Sequence, residues 1–165
     1  AALQFDRKIL LEAAVEPALE VEVAVMGNEH PGAAMPGQVI PSNEFYDYDA
    51  KYVDNASGLR IPADISDDLI EAVQLAAIKA VTAVDVQGLA RVDFLVNPDM
   101  ERFYLNELNT LPGFTSISMY PKLWEYSGFF YSDLLDELIK LAVTRYEDKQ
   151  MLQTVYRPKS EWYTE

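Results

Sequence analysis

The sequence predicts an α+β fold in which an antiparallel sheet is flanked by helices, and three observations carry that prediction. Leu19-Glu20-Val21-Glu22-Val23-Ala24-Val25 alternates with a period of two, the signature of a half-buried strand. Gly88 to Val96 and Arg102 to Asn109 are two more strand-like runs, joined across the turn residues Asn97-Pro98-Asp99 as a hairpin. Between these regions, apolar residues fall at 69, 70, 73, 76, 77, 80 and 81, the spacing of a helix with one face against a sheet.

Taken in order, Lys8 to Ala14 is rich in Leu, Ile and Ala and reads as a short strand, separated by Pro17 from the run Leu19 to Gly27. Gly27-Asn28 marks a turn, and Met35 to Ile40 offers another extended run ahead of Pro41. From Ser42 to Pro62 aromatic and charged residues interleave without helical period, and a loop of that length in a compact domain is usually functional or mobile. Ser66 suits an N-cap, with Asp67 and Asp68 in the first turn where the helix dipole favours negative charge. After the Pro112-Gly113 break, Ser118 opens a short helix through Trp124 that tolerates Pro121 in its first turn. Ser132 opens a last helix whose buried side is expected to be Leu134, Leu135, Leu138, Ile139, Ala142 and Val143. Gln150 to Glu165 shows no clear period, so residues 1–147 are read as one structural portion and 148–165 as a C-terminal tail.

Composition bounds the function. With 165 residues, 50% of them apolar and 12% aromatic, the chain can build a real core, and it has no uninterrupted apolar run of membrane length. Thirteen Lys and Arg against 27 Asp and Glu leave a formal charge of −14, a field that repels a nucleic-acid backbone. No cysteine is present, which excludes disulfides, thiolate catalysis and Cys-bound zinc, and the lone His30 excludes a His-rich metal site. Any metal must therefore be held by oxygen. The N-terminus carries no basic start followed by an apolar stretch and a cleavage site, so a cytoplasmic location is expected. The chain begins at Ala1 with no methionine before Met26, which fits either removal of an initiator or a piece of something longer.

The hairpin concentrates the chemistry. Residues two apart on a strand share a face, so Arg91 and Asp93 point together, as do Glu107 and Asn109 on the partner strand. A turn near Asp99 sets Arg91 across from Glu107 or Asn109, and Asp93 across from Leu105 or Glu107. Two carboxylates and an amide oxygen suit a hard cation such as Mg²⁺, which keeps several waters and shares its remaining positions with phosphates. An adjacent guanidinium would stabilise negative charge on a phosphoryl or acyl oxygen. The bland account of the same pattern is an exposed charge ladder, with Arg91 paired to Glu107 in solvent. Beyond the cluster, Pro112-Gly113 and the hydroxyl of Ser118 at a helix start offer backbone N–H groups to a carboxylate or oxyanion. Other readings fail: Lys51 and Tyr52 spoil the EF-hand start of Asp47-Tyr48-Asp49, no Walker-type loop exists, and Ser116 and Ser118 have no partner base.

Arg91-Val-Asp93-Phe, the run Asn106-Glu107-Leu-Asn109-Thr-Leu-Pro-Gly113-Phe-Thr-Ser-Ile-Ser118-Met119-Tyr-Pro, and Phe45-Tyr46-Asp47-Tyr48-Asp49-Ala50-Lys51-Tyr52 together resemble the C-terminal half of D-alanine-D-alanine ligases, members of the ATP-grasp superfamily. The resemblance covers about Lys8 to Tyr146. It implies a cytoplasmic, homodimeric enzyme of peptidoglycan precursor synthesis that uses ATP and two Mg²⁺ (Mn²⁺ also being suitable) to join two D-alanines. Asp93 would bind one metal, Glu107 both and Asn109 the second. Arg91 and the backbone N–H of Gly113 would stabilise the transferring phosphoryl oxygens and the tetrahedral intermediate. Ser118 and Met119 would hold the carboxylate of the second D-alanine. Glu20 matches the carboxylate that grips the ribose, Glu12 and Val15 the adenine hinge, Phe45 an adenine contact and Lys51 a phosphate contact. Tyr52 matches the tyrosine that closes over the second substrate and accompanies dipeptide rather than depsipeptide synthesis. The resemblance also implies that an N-terminal domain with the first D-alanine site precedes this stretch, and that the 165 residues alone do not turn over ATP. The alternatives are a ligase adding D-lactate or another ATP-grasp carboxylate-amine ligase, and a non-catalytic binding module on the same scaffold.

Overall fold

The computed structural model describes residues 2–40, 58–115 and 117–155. Six antiparallel strands form one sheet among them: β1 (Leu19–Gly27), β2 (Gly32–Ala33), β3 (Gly37–Ile40), β4 (Gly58–Arg60), β5 (Gly88–Asn97) and β6 (Arg102–Asn109). The order is β4-β3-β1-β5-β6, with β2 beside the end of β1. Three helices flank it: α1 (Asp67–Ala83), α2 (Met119–Tyr126) and α3 (Tyr131–Met151). The expected α+β architecture, an antiparallel sheet with helices, is the observed one.

The two faces of the sheet carry different layers. Val21, Val23 and Val25 of β1 and Ala90, Val92, Phe94 and Val96 of β5 point towards Leu69, Val73, Ala77 and Val81 of α1. This is period two on the strands meeting period 3.6 on the helix. Ser66 caps α1 by accepting the Leu69 N–H on its hydroxyl. On the opposite face, Ala24, Met26 and Val39 pack with Met119, Tyr120, Leu123 and Trp124 of α2 and Leu134 of α3. The contact there is close at Gly37, where an added Cβ would lie 2.6 Å from Leu123 Cδ2 and 3.1 Å from Met119 Sδ. The buried Tyr120 donates its hydroxyl to the Val25 carbonyl at 3.0 Å and so fastens α2 to the central strand.

Several expectations change. Lys8 to Ala14 forms no strand; Ile9, Leu10 and Leu11 are exposed and the segment pairs with no strand among the described residues. The long loop read from Ser42 to Pro62 contains a strand at its end, since Gly58–Arg60 pairs with β3. Helix α2 continues to Tyr126, and α3 begins at Tyr131 and runs to Met151, past the boundary drawn at residue 147. Of the face expected to be buried on α3, Leu134 is fully buried and Leu138 half-buried, whereas Leu135, Ile139, Ala142 and Val143 are exposed. No helix among the described residues is long and apolar enough to cross a membrane.

Candidate active site

The hairpin pairs Arg91 with Asn109 and Asp93 with Glu107, which settles the two alternatives left by the sequence. A bulge makes the difference. From the turn inward the ladder runs Asn97–Arg102, Val96–Phe103, Leu95–Tyr104 and Phe94–Leu105, and then Asp93 meets Glu107, leaving Asn106 as the extra residue. Side chains alternate across a strand, so one extra residue reverses the phase of all that follow. Phe103 before the bulge and Leu108 after it both pack towards α1. Glu107 and Asn109 are thereby turned to the opposite face, beside Asp93 and Arg91.

The four side chains do converge. Arg91 grips Asp93 with two hydrogen bonds, Nε to Oδ1 at 2.7 Å and a terminal nitrogen to Oδ2 at 2.6 Å. The Asn109 amide donates to Asp93 Oδ2 at 3.2 Å and to Glu107 Oε1 at 3.1 Å, drawing both carboxylates to one point. A solvated ladder does not describe this arrangement, since Asp93 is buried and Arg91 pairs with it rather than with Glu107 in solvent. Burial pushes the Asp93 carboxyl upward and the charge of Glu107 adds to the rise, while the hydrogen bond and charge of Arg91 oppose it. Burial by itself would lower the Arg91 guanidinium, but its hydrogen bond to Asp93 and the charges of Glu22, Asp93 and Glu107 more than reverse that, so it stays protonated.

Sequence reasoning missed one member. Glu22 lies across from Asp93 on β1, is 8% exposed, and places Oε2 3.1 Å from Arg91 Nε. Its signal was the period-two step from Glu20, which puts both glutamates on one face. Glu20, Glu22, Asp93, Leu95, Asn106 and Glu107 line a single open cleft with room of about 100 Å³. Glu20 is therefore brought to the cluster; Glu12 is exposed, Val15 half-buried, and neither forms a wall of that cleft.

The second group of candidates sits at the start of α2, on the same face of the sheet. Ser118 takes the extended N-cap conformation, but its hydroxyl does not cap the helix. Instead Ser118 Oγ accepts the Thr115 N–H at 3.0 Å and lies 2.9 Å from Thr115 Oγ1. The first-turn N–H groups of α2 are therefore not capped by that side chain and remain the donor set of a helix start. Gly113 is exposed, and a Cβ there would approach Ser118 Oγ to 3.0 Å, so a larger residue would press on this turn. The Met119 side chain is buried in the core, leaving its backbone as the part available at the helix start. Phe45, Lys51 and Tyr52 lie outside the described residues.

Asp93, Glu107 and Asn109 supply only oxygen ligands, and among the described residues no three acidic, His or Cys side chains form a complete metal cage. Such an incomplete oxygen set fits a hard cation that keeps waters and shares its coordination with phosphates. The antiparallel sheet with its flanking helices is that of an ATP-grasp portion. Residues 1–140 match the family described as D-ala D-ala ligase C-terminus, and the chain belongs to that family. It is 56% identical over 144 residues to a D-alanine--D-alanine ligase of Clostridium acetobutylicum, a match covering 87% of this chain and 42% of that protein. Among solved structures it is similar to the D-alanine-D-alanine ligase from Coxiella burnetii, with a TM-score of 0.72 at 40% identity over 84% of this chain and 35% of that one. It is also similar to the VanG D-Ala:D-Ser ligase from Enterococcus faecalis, with a TM-score of 0.67 at 34% identity over 77% of this chain and 37% of that one.

Proposed function

We propose that this chain supplies the metal-binding and oxyanion-binding part of an ATP-dependent ligase that joins two D-alanines through an acyl phosphate, for peptidoglycan precursor synthesis in the cytoplasm. The observation that carries the reading is the convergence of Arg91, Asp93, Glu107 and Asn109 beside a cleft that Glu20 also lines. The 56% identity to a D-alanine--D-alanine ligase supports it, although the chain spans 42% of that relative's length.

In this reading Asp93, Glu107 and Asn109 hold two Mg²⁺ ions, for which Mn²⁺ can substitute. Bound there, the metal would neutralise charge on the phosphates of ATP as the first D-alanine carboxylate takes up the γ-phosphoryl group. Arg91 contributes a fixed positive charge towards the same oxygens and cannot act as an acid, because its surroundings hold it protonated. Glu20 receives the ribose hydroxyls, while Glu12 and Val15 border the adenine with Phe45, and Lys51 meets phosphate. The amine of the second D-alanine then displaces phosphate, and the Gly113 N–H faces the oxyanion of that step. Ser118 and the Met119 N–H hold the second carboxylate at the start of α2. Tyr52 closes over it. The complete enzyme is read as a homodimer.

The test is phosphate release by the complete protein with D-alanine, D-serine and D-lactate in competition. D-alanine is expected to be preferred as second substrate near neutral pH, and Glu107→Gln to lower turnover about 10³-fold, as loss of a principal electrostatic contact does. Preference for D-serine or D-lactate would move the reading to a sister ligase, and unchanged turnover in Glu107→Gln would remove the metal assignment.

A further inference from the structure

Glu22 has no part in the reaction as derived so far, yet with Asp93 it is one of the two buried charged residues among those described and forms a wall of the cleft. It stands on β1, between β3 and β5, where the backbone is held by strands on both sides. Its β3 neighbour is Gly37, which carries no side chain to set against it. Its Oε2 is 3.1 Å from Arg91 Nε, and that same Nε donates to Asp93 Oδ1 at 2.7 Å. One guanidinium thus stands between two buried carboxylates while occupying both oxygens of Asp93. Those are the oxygens that a divalent cation requires. Each oxygen keeps a second lone pair, but a cation set there would face the like charge of the guanidinium at close range, and a guanidinium that yields in a buried site needs another anionic acceptor. Glu107 is unsuited to that role because it belongs to the cation's own ligand set and is already tied to Asn109.

We propose that Glu22 is the second seat of Arg91, a positioning residue that takes the guanidinium when the Asp93 carboxylate turns to a divalent cation. The arginine then stays in the cleft facing the transferring oxygens and does not compete for the metal. This inference rests on the metal reading above. It assigns Glu22 no contact with substrate or cation; the residue acts through Arg91.

The test is Mn²⁺ binding to the complete, nucleotide-free protein, followed by electron paramagnetic resonance in a double-mutant cycle. Glu22→Gln keeps the shape and removes the charge. It is expected to weaken Mn²⁺ binding about tenfold where Arg91 is present, the size typical of outer partners of a metal site. In an Arg91→Met background the same substitution is expected to change binding less than twofold, since there is no guanidinium to reseat. Glu22→Asp, which keeps the charge at shorter reach, replaces the glutamine variant if circular dichroism shows that one to be unfolded, and the same dependence on Arg91 is expected. An equal effect in both backgrounds would show Glu22 acting as plain negative charge or as a ligand and would overturn the proposal. So would binding by wild type that neither variant alters. A wild-type protein that binds no Mn²⁺ would overturn the metal reading and this inference with it.

Discussion

Asp93 and Phe94 are neighbours in the chain and belong to different molecules in the physical sense. Phe94 points towards α1, is 1% exposed and meets Phe103 edge to face at 5.6 Å. Asp93 points the other way into a cleft where carboxylates and one guanidinium crowd together. The α1 face is made of aliphatic and aromatic contacts that any close packing of similar volume would satisfy. The opposite face gathers like charges at a cost in folding stability, which is worthwhile only if something binds there. A single strand thus divides its residues between stability and chemistry, one position at a time.

Substitutions can sharpen or break that division. The largest effect is expected from Asp93→Asn, which should lower phosphate release by the complete enzyme about 10³-fold. Thermal unfolding should show its midpoint moving less than that of Phe94→Ala. Phe94→Ala should cost about 3–5 kcal/mol in denaturant unfolding, the range for a buried aromatic truncated to alanine. If Asp93→Asn proved the more destabilising of the two, the division between faces would fail. The smallest effect concerns Tyr120, below the site. Burial holds its hydroxyl above the ordinary value of 10.0, with a weaker opposing contribution from Trp124. Above pH 10 the unfolded chain releases this proton while the folded chain keeps it, so the folded state binds more protons and stability falls as pH rises. The slope expected from this group approaches 1.4 kcal/mol per pH unit between its unfolded and folded values. Tyr120→Phe should flatten that alkaline limb in a pH series of unfolding curves while losing the bond to the Val25 carbonyl.

The same contrast explains what the sequence could disclose. Helix α1 was legible because its cap, its acidic first turn and its apolar stripe are all local and agree with one another. The pairing of Glu107 was not, because period two gives a face without a phase, and the bulge at Asn106 that sets the phase leaves no mark in composition. The Arg91, Asp93, Glu107 and Asn109 grouping came through because i, i+2 spacing holds on either side of the bulge. Glu22 escaped notice because its importance comes from a strand nearly seventy positions away. On α3 the apolar spacing identified which residues share a stripe but not what covers them, and Leu135, Ile139 and Val143 are exposed among the described residues. Gly58–Arg60 is too short a strand for alternation to reveal.

The extra residue in β6 also bears on what a deletion in the gene could do. Removing Asn106 would leave an uninterrupted ladder in which Glu107 still meets Asp93 and Leu108 still meets Val92, so each would keep its face. A frame-preserving deletion of three nucleotides there would take one residue from the cleft wall and leave Glu107 and Asn109 beside Asp93 and Arg91. What the inherited message must fix here is the meeting of Glu107 with Asp93, not the number of letters that precede it.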